Sequence, residues 1–202
     1  MKGGGVSLHL HSPDAVLLMD TKNRTDRLEK LKRELHFYYI CHVPPRGLAG
    51  GLCLLWKKSV DFQVRTVYSF IMEVEVKDDD KNKRWMLDCI HADFDDQRRR
   101  EQWSLSQRVA GRRADGWVVL GDLKDLLLPD DKEGGCHRSA ASFSDFRNFL
   151  DKCGLLDVGF VVHPFTWFQK RQGSFNVKER LDRVLVNVSW SHCYERALTF
   201  LL

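Results

Sequence analysis

The chain has 202 residues, of which 43% are hydrophobic and 30% charged, with 14 Gly and 5 Pro. That composition is globular, excludes disordered, collagen-like and low-complexity classes, and at this length suits a single domain. A net charge of +4, from 32 basic and 28 acidic side chains, permits a polyanionic partner without demanding one.

The longest apolar runs, Ala15–Met19 and Trp117–Leu120, fall far short of the ~20 residues a membrane helix needs, so no membrane is expected. Met1–Leu10 lacks the basic start and apolar core of a secretion signal. The six cysteines, Cys41, Cys53, Cys89, Cys136, Cys153 and Cys193, show no short paired spacing and read as reduced thiols. Together these features predict an intracellular protein, nuclear or cytoplasmic, that is not secreted.

In chain order, Ala15–Met19 is a continuous apolar run of the kind buried on both faces of a sheet. Asn23 is placed to cap a helix over 24–35, in which Leu28, Leu31 and Leu35 recur at helical spacing. Four aromatic and β-branched segments follow, Phe37–Val43, Gly51–Trp56, Val60–Phe70 and Ile71–Val76, and predict mostly antiparallel strands. Glu73 and Glu75 predict one wet face on the last of these, and Asp78–Lys83 is a hairpin tip.

Trp85–His91 is a further strand, and Asp96–Ala110 a helix with Trp103, Ser106 and Ala110 inward. Trp117–Leu120 is a second apolar strand, ending in Gly121 and Asp122. Over Ser139–Cys153, Phe143, Phe146, Leu150 and Cys153 fall three or four apart, a helix that Gly154 ends as a left-handed cap. Phe165–Phe168, Leu181–Val186 and Ala197–Leu202 are strand-like. The pattern predicts two packed sheets with helices outside and no division into domains.

Three carboxylates close apolar runs: Asp20, Asp122 and Asp182, the last inside Arg180-Leu181-Asp182-Arg183. Converging carboxylates repel, a cost tolerated mainly where a hard divalent cation such as Mg²⁺ or Mn²⁺ sits among them. Singly, each is equally a turn residue. Spacing alone does not decide between these readings for the set.

A series of short stretches runs in order along residues 15–200. These are Leu17–Lys22, Gly50–Trp56, Gly121–Asp125 with Lys132–Gly135, Gly154–Gly159, Pro164–Trp167 and Glu179–Arg183. With them the chain resembles the endonuclease/exonuclease/phosphatase superfamily, most closely the endonuclease domain of plant non-LTR (long interspersed type) retrotransposons. The resemblance implies an α/β (α+β) fold, a four-layer sandwich of two mixed sheets flanked by helices. It implies hydrolysis of nucleic-acid phosphodiester bonds, with DNA as partner, Mg²⁺ or Mn²⁺ as cofactor and no small-molecule cofactor. Carried over by position, Asp20, Asp122 and Asp182 would hold the metal. Asp122, His91 and Asp182 would be catalytic, and Lys124 and Arg180 would contact substrate.

Several positions depart from the family pattern. Asp20 stands where the family has Glu, Lys124 where it has Asn, and His91 where it has a reactive Tyr. Lys124 is two residues beyond Asp122 and could pair with it in the metal's charge role, bend outward, or bind phosphate. His91 could bind phosphate or move a proton, or be merely half-buried. Met1–Pro13 has no match to the family's first strand with its Trp-Asn pair, and the chain stops at Leu202 before its closing Ser-Asp-His run. The expectation is a single domain over 1–202, with an atypical 1–14 and without the family's first and last strands. Its hydrolysis is expected to be weak or lost; the alternatives are a non-catalytic nucleic-acid-binding remnant and a gene product with no selected role. Basic residues flanking the second helix, Arg98–Arg100 with Arg112 and Arg113, allow backbone contact with nucleic acid or a solvated helix face.

Overall fold

The computed structural model describes residues 12–22, 25–45, 50–111, 113, 115–161, 164–169 and 177–200. The expected Asn23 cap, Arg112, the atypical segment 1–11 and Leu201–Leu202 lie outside the described residues. The strands are β1 (Ala15–Met19), β2 (Tyr39–Val43), β3 (Leu52–Trp56), β4 (Asp61–Val67), β5 (Ile71–Asp78), β6 (Lys83–His91), β7 (Trp117–Asp122), β8 (Lys132–Glu133), β9 (Leu155–Asp157), β10 (Trp167–Gln169), β11 (Val177–Glu179) and β12 (Asp182–Asn187). The α-helices are α1 (Thr25–Glu34), α2 (Asp96–Ala110), α3 (Ser144–Cys153) and α4 (Val188–Cys193).

Two sheets carry the fold: a three-stranded antiparallel sheet β1-β3-β2 and a six-stranded mixed sheet β4-β5-β6-β7-β12-β9. Within the larger one the β6/β7 pairing is parallel, which requires the crossover that α2 supplies. A small third sheet, β10-β11-β8, adds to the two that the sequence predicts.

Strand β3 shows why the layers stack as they do. All five of its residues are buried, and their alternation sends Leu52, Leu54 and Trp56 into a core with Met72, Val74, Val76, Leu87, Cys89, Val118 and Val186 of the larger sheet. Cys53 and Leu55 face the other way, against Leu28 of α1 and Phe37. On its far face the larger sheet packs Ile90, Trp117, Val119 and Leu185 against Trp103 of α2 and Phe146, Phe149 and Leu150 of α3. Trp103 and Phe149 stack at 4.7 Å between ring centroids. The order helix, sheet, sheet, helices is the expected four-layer sandwich.

Some expectations needed correction. β4 ends at Val67, not Phe70, because the chain turns there to reach β5. The face of β5 expected to be wet is half-buried: Glu73 and Glu75 are 14% and 19% exposed, paired with Arg113 and with Arg65 and Arg84. Residues 197–200 form no strand and carry one bridge, Val161 with Phe200. The helix expected from Ser139 starts with a 3-10 turn over Ala140–Phe143 before α3, and Gly154 ends it at φ 62° as expected. Helix α4, too short to show a period, is capped by Asn187, whose side-chain oxygen accepts the N–H of both Trp190 and Trp117.

Two features fix the end of the larger sheet where the carboxylates lie. Gly121 has φ 148°, and a Cβ there would overlap the Ile90 carbonyl oxygen, so β6 and β7 approach as only glycine permits. Behind β12, Arg183 is fully buried and bridges Asp131 and Asp157, while Arg180 bonds Asp157 at 2.7 Å. On the helix face of the sheet, Asp88 is buried, accepts Trp117 Nε1–H at 2.9 Å, and lies 3.4 Å from Arg113.

Gly121→Ala should destabilise the fold by about 3 kcal/mol, near 10 °C in Tm, in thermal melts. Gly111→Ala, at a φ of −61° with open space around it, should leave Tm unchanged or raise it slightly. An equal effect of the two would contradict the close approach at Gly121. Burial, with the nearby Glu73 charge, pushes Asp88 up to about 7 against the pull of Arg113 and Trp117. The folded state therefore binds an extra proton between about pH 4 and 7, and this group adds stability as pH falls through that window. Denaturant melts across pH 5–8 should show wild type gaining on Asp88→Asn as the pH falls; parallel profiles would refute the shift.

Candidate active site

The ends of β6, β7 and β12 bring three predicted residues into one row. Asp122 is the register partner of His91 on one side and of Asp182 on the other. Asp20 comes from the smaller sheet. It follows β1, whose last residue, Met19, lets its sulfur accept the Asp122 N–H at 3.0 Å. His91 feels the charge of both Asp20 and Asp122. The three carboxylates and His91 thus meet at one edge of the sandwich.

Two of the three carboxylates are already paired with a lysine of the chain itself. Asp122 Oδ2 accepts Lys124 Nζ–H at 2.5 Å, and its Oδ1 accepts the Lys124 backbone N–H at 3.2 Å. The pair is buried, with the Lys124 and Asp122 side chains 6% and 18% exposed. Asp20 Oδ2 lies 2.9 Å from Lys22 Nζ, and its Oδ1 accepts the Gly50 N–H at 3.0 Å. Asp182 is positioned by Thr166, whose hydroxyl oxygen accepts the backbone N–H of both Leu181 and Asp182 at 3.0 Å.

The same local device operates at both strand ends. Asp20-Thr21-Lys22 and Asp122-Leu123-Lys124 each place a lysine two residues after the carboxylate, and the lysines share a left-handed backbone, φ 50° and 51°. That conformation costs an L-residue roughly 1–2 kcal/mol and folds the lysine back onto the acid. At the first turn, Thr21 and Lys22 donate their N–H groups to the carbonyls of Gly51 and Gly50. A side chain at Gly51 would strike Thr21 Oγ1 at 2.5 Å, which is why the turn needs glycine opposite it. Of the three arrangements open to Lys124, the structure has the pairing with Asp122, reached through this turn past the end of β7. Lys22 was missed as a partner of Asp20, although the repeated Asp-x-Lys spacing could have revealed it.

The electrostatics follow from these contacts. Burial would raise the Asp20 carboxyl, but Lys22, the Gly50 N–H and nearby charge hold it below its ordinary value. Burial raises Asp182, opposed by the Thr166 hydroxyl and reinforced by the Asp122 charge. Burial and the Lys124 charge depress His91 against the pull of Asp122, Asp20 and Asp93, which favours the neutral imidazole. His91 Nε2 is buried 3.8 Å from Asp122 Oδ2 and makes no hydrogen bond among the described residues. Arg180, expected to contact substrate, is 9% exposed at its side chain, and Asp157, Asp131 at 3.9 Å and the Phe160 ring account for its contacts.

This arrangement does not fit a divalent ion. Among the described residues no three His, Cys, Asp or Glu side chains come together at metal-ligand spacing. Two of the three expected ligands already hold an ammonium group. What the chain's own groups offer is a neutral imidazole with a free nitrogen, a paired lysine, and a raised carboxyl.

Comparison with known proteins gives this geometry its context. A family model described as the endonuclease/exonuclease/phosphatase family matches residues 7–199. No curated protein is significantly similar in sequence. Among solved structures, a variant of the 3′ phosphatase NExo from Neisseria, bound to product DNA hairpin, has a TM-score of 0.64 at 17% identity, over 92% of this chain and 80% of that one. The endonuclease domain of TRAS1, a telomere-specific non-LTR retrotransposon, has a TM-score of 0.65 at 12% identity, over 91% and 77%. D. rerio TDP2, complexed with a single-strand DNA product, has a TM-score of 0.61 at 18% identity, over 92% and 75%. These likenesses establish the fold, and the family match over nearly the whole chain establishes descent: the chain belongs to the endonuclease/exonuclease/phosphatase family.

Proposed function

We propose that the chain is a nucleic-acid-binding member of its family in which metal-dependent phosphodiester hydrolysis is weak or lost. The observation that carries this reading is the lysine two residues after each of Asp20 and Asp122, closed onto the carboxylate that a Mg²⁺ or Mn²⁺ ion would need. An ion entering beside Asp122 must displace an ammonium from a largely buried pair, and both cations then crowd one small volume. DNA is the favoured partner, since two of the similar structures, NExo and TDP2, hold DNA products. The ordered motifs and the likeness to TRAS1 support an origin in a non-LTR retrotransposon. Among the described residues no helix is long and apolar enough to cross a membrane.

The remaining chemistry belongs to the chain's own residues. Neutral His91 can donate a hydrogen bond to a phosphate oxygen or accept a proton. Lys124 has further N–H donors beyond the one given to Asp122, and Asp182 is held by Thr166 against the same strand end.

Nicking of supercoiled plasmid tests the reading. Wild type should show little or no cleavage with Mg²⁺ or Mn²⁺, and the double variant Asp20→Glu with Lys124→Asn should cleave at least about tenfold faster. Robust wild-type nicking that Asp122→Asn abolishes would overturn it. Stability gives an independent check. At a metal site without its metal, neutralising one clustered carboxylate relieves repulsion and stabilises. Here Asp122→Asn strands the buried Lys124 ammonium and should cost about 3 kcal/mol in denaturant melts, largely recovered by adding Lys124→Met. A stabilising Asp122→Asn would contradict the pairing.

A further inference from the structure

The loop from β6 to α2 exposes a phenylalanine that the packing does not explain. Phe94 is 75% exposed, three residues after His91. Its backbone is nevertheless fixed. Buried Arg99 donates from Nη1 to the carbonyls of Asp93 and Phe94 at 3.0 and 3.2 Å, and the Asp93 N–H is held by Gln102 Oε1 at 2.9 Å. Asp95 caps α2 by accepting the Arg98 N–H. Lys124 Nζ lies 3.9 Å from the ring centroid, so the ammonium that closes Asp122 also holds the ring beside the site. A rigidly presented aromatic with most of its surface in water is a preformed stacking surface.

Next to it lies a cavity of about 270 Å³ whose lining includes His91, Phe94, Arg98 and Gln102. His91 lines this cavity, with its Nε2 buried behind the wall. Arg98 is 72% exposed, paired loosely with Asp93 at 3.7 Å, and Arg100 is 54% exposed on the same helix. Acidic Asp93, Asp95 and Asp96 share the loop, but their carboxylates are turned to Arg98, the helix cap and Arg99. An aromatic face beside the exposed Arg98 guanidinium suits a planar group carried on an anionic backbone; Arg100 is turned away to Asp145 at 3.4 Å.

We infer that Phe94, with Arg98 and the cavity beside His91, is a stacking subsite for an unpaired nucleotide, so the chain selects single-stranded over duplex nucleic acid. The inference rests on the nucleic-acid reading above and adds its substrate class. Bases within a duplex are already stacked and offer no free face to an exposed ring. An unpaired base does, and one such stack changes affinity by about tenfold in single-strand binders.

Fluorescence anisotropy of labelled single-stranded DNA and RNA 12-mers, and of the matching DNA duplex, decides the matter at several salt concentrations. Wild type should bind a single strand at least tenfold tighter than duplex. Phe94→Ala should lose about tenfold on single strands only, with an unchanged salt slope because stacking releases no counterions. Phe94→Trp should restore affinity, and its indole emission should be quenched on binding. DNA and RNA strands separate which backbone is preferred, and tight binding to either supports the subsite. Salt-sensitive binding that Phe94→Ala does not alter, or that favours duplex, overturns the subsite and leaves the nucleic-acid reading intact. Absence of salt-sensitive binding to every strand overturns both.

Discussion

The Lys124–Asp122 ion pair governs how every other group in the site is read. It converts an acid that the family pattern gives to a metal into half of a buried internal salt, and its second contact, with Phe94, orders the rim. A buried pair of this kind contributes little net stability, because desolvating both ions offsets their attraction, yet breaking it is expensive. Its consequence is therefore chemical more than structural: it fixes where charge sits at this strand end. The matching Lys22–Asp20 pair, at the equivalent turn of the other sheet, extends the effect across the sandwich, although at about half exposure it is the weaker of the two.

The rest of the fold keeps these turns in register. Gly121 lets β6 and β7 close until His91 and Asp122 face one another, and Arg183 ties β12 to Asp131 and Asp157 from behind. Thr166 orders the first residues of β12, and with them Asp182. None of these residues reacts, but each removes freedom from a strand end that carries one that could. The site is consequently stiff in its departures as well as in its inherited geometry, and a lysine that enters such a frame has few other places to go.

Much of this was readable in the amino-acid order. Continuous apolar runs marked β1 and β7, and the three-and-four spacing of Phe143, Phe146 and Leu150 marked α3, because burial and periodicity write themselves into adjacent residues. The departures at Asp20, His91 and Lys124 stood out against the ordered family motifs. What stayed hidden depends on contacts distant in sequence. Glu73 and Glu75 read as solvent-facing until Arg113, Arg65 and Arg84 cover them. The pairing of Arg180 with Asp157 and Asp131 likewise joins residues far apart in sequence. The left-handed turns that fold Lys22 and Lys124 onto their acids follow from tertiary closure, since lysine has no local preference for that conformation.

The central claim is that ammonium groups occupy the place of a divalent ion. Titration of the wild-type protein with Mn²⁺, followed by the electron paramagnetic resonance signal of the free ion, tests it without reference to any substrate. The account predicts that the free-ion signal grows in proportion to added Mn²⁺ throughout the submillimolar range, as in buffer alone. Stoichiometric loss of that signal in the same range, abolished by Asp122→Asn, would contradict it.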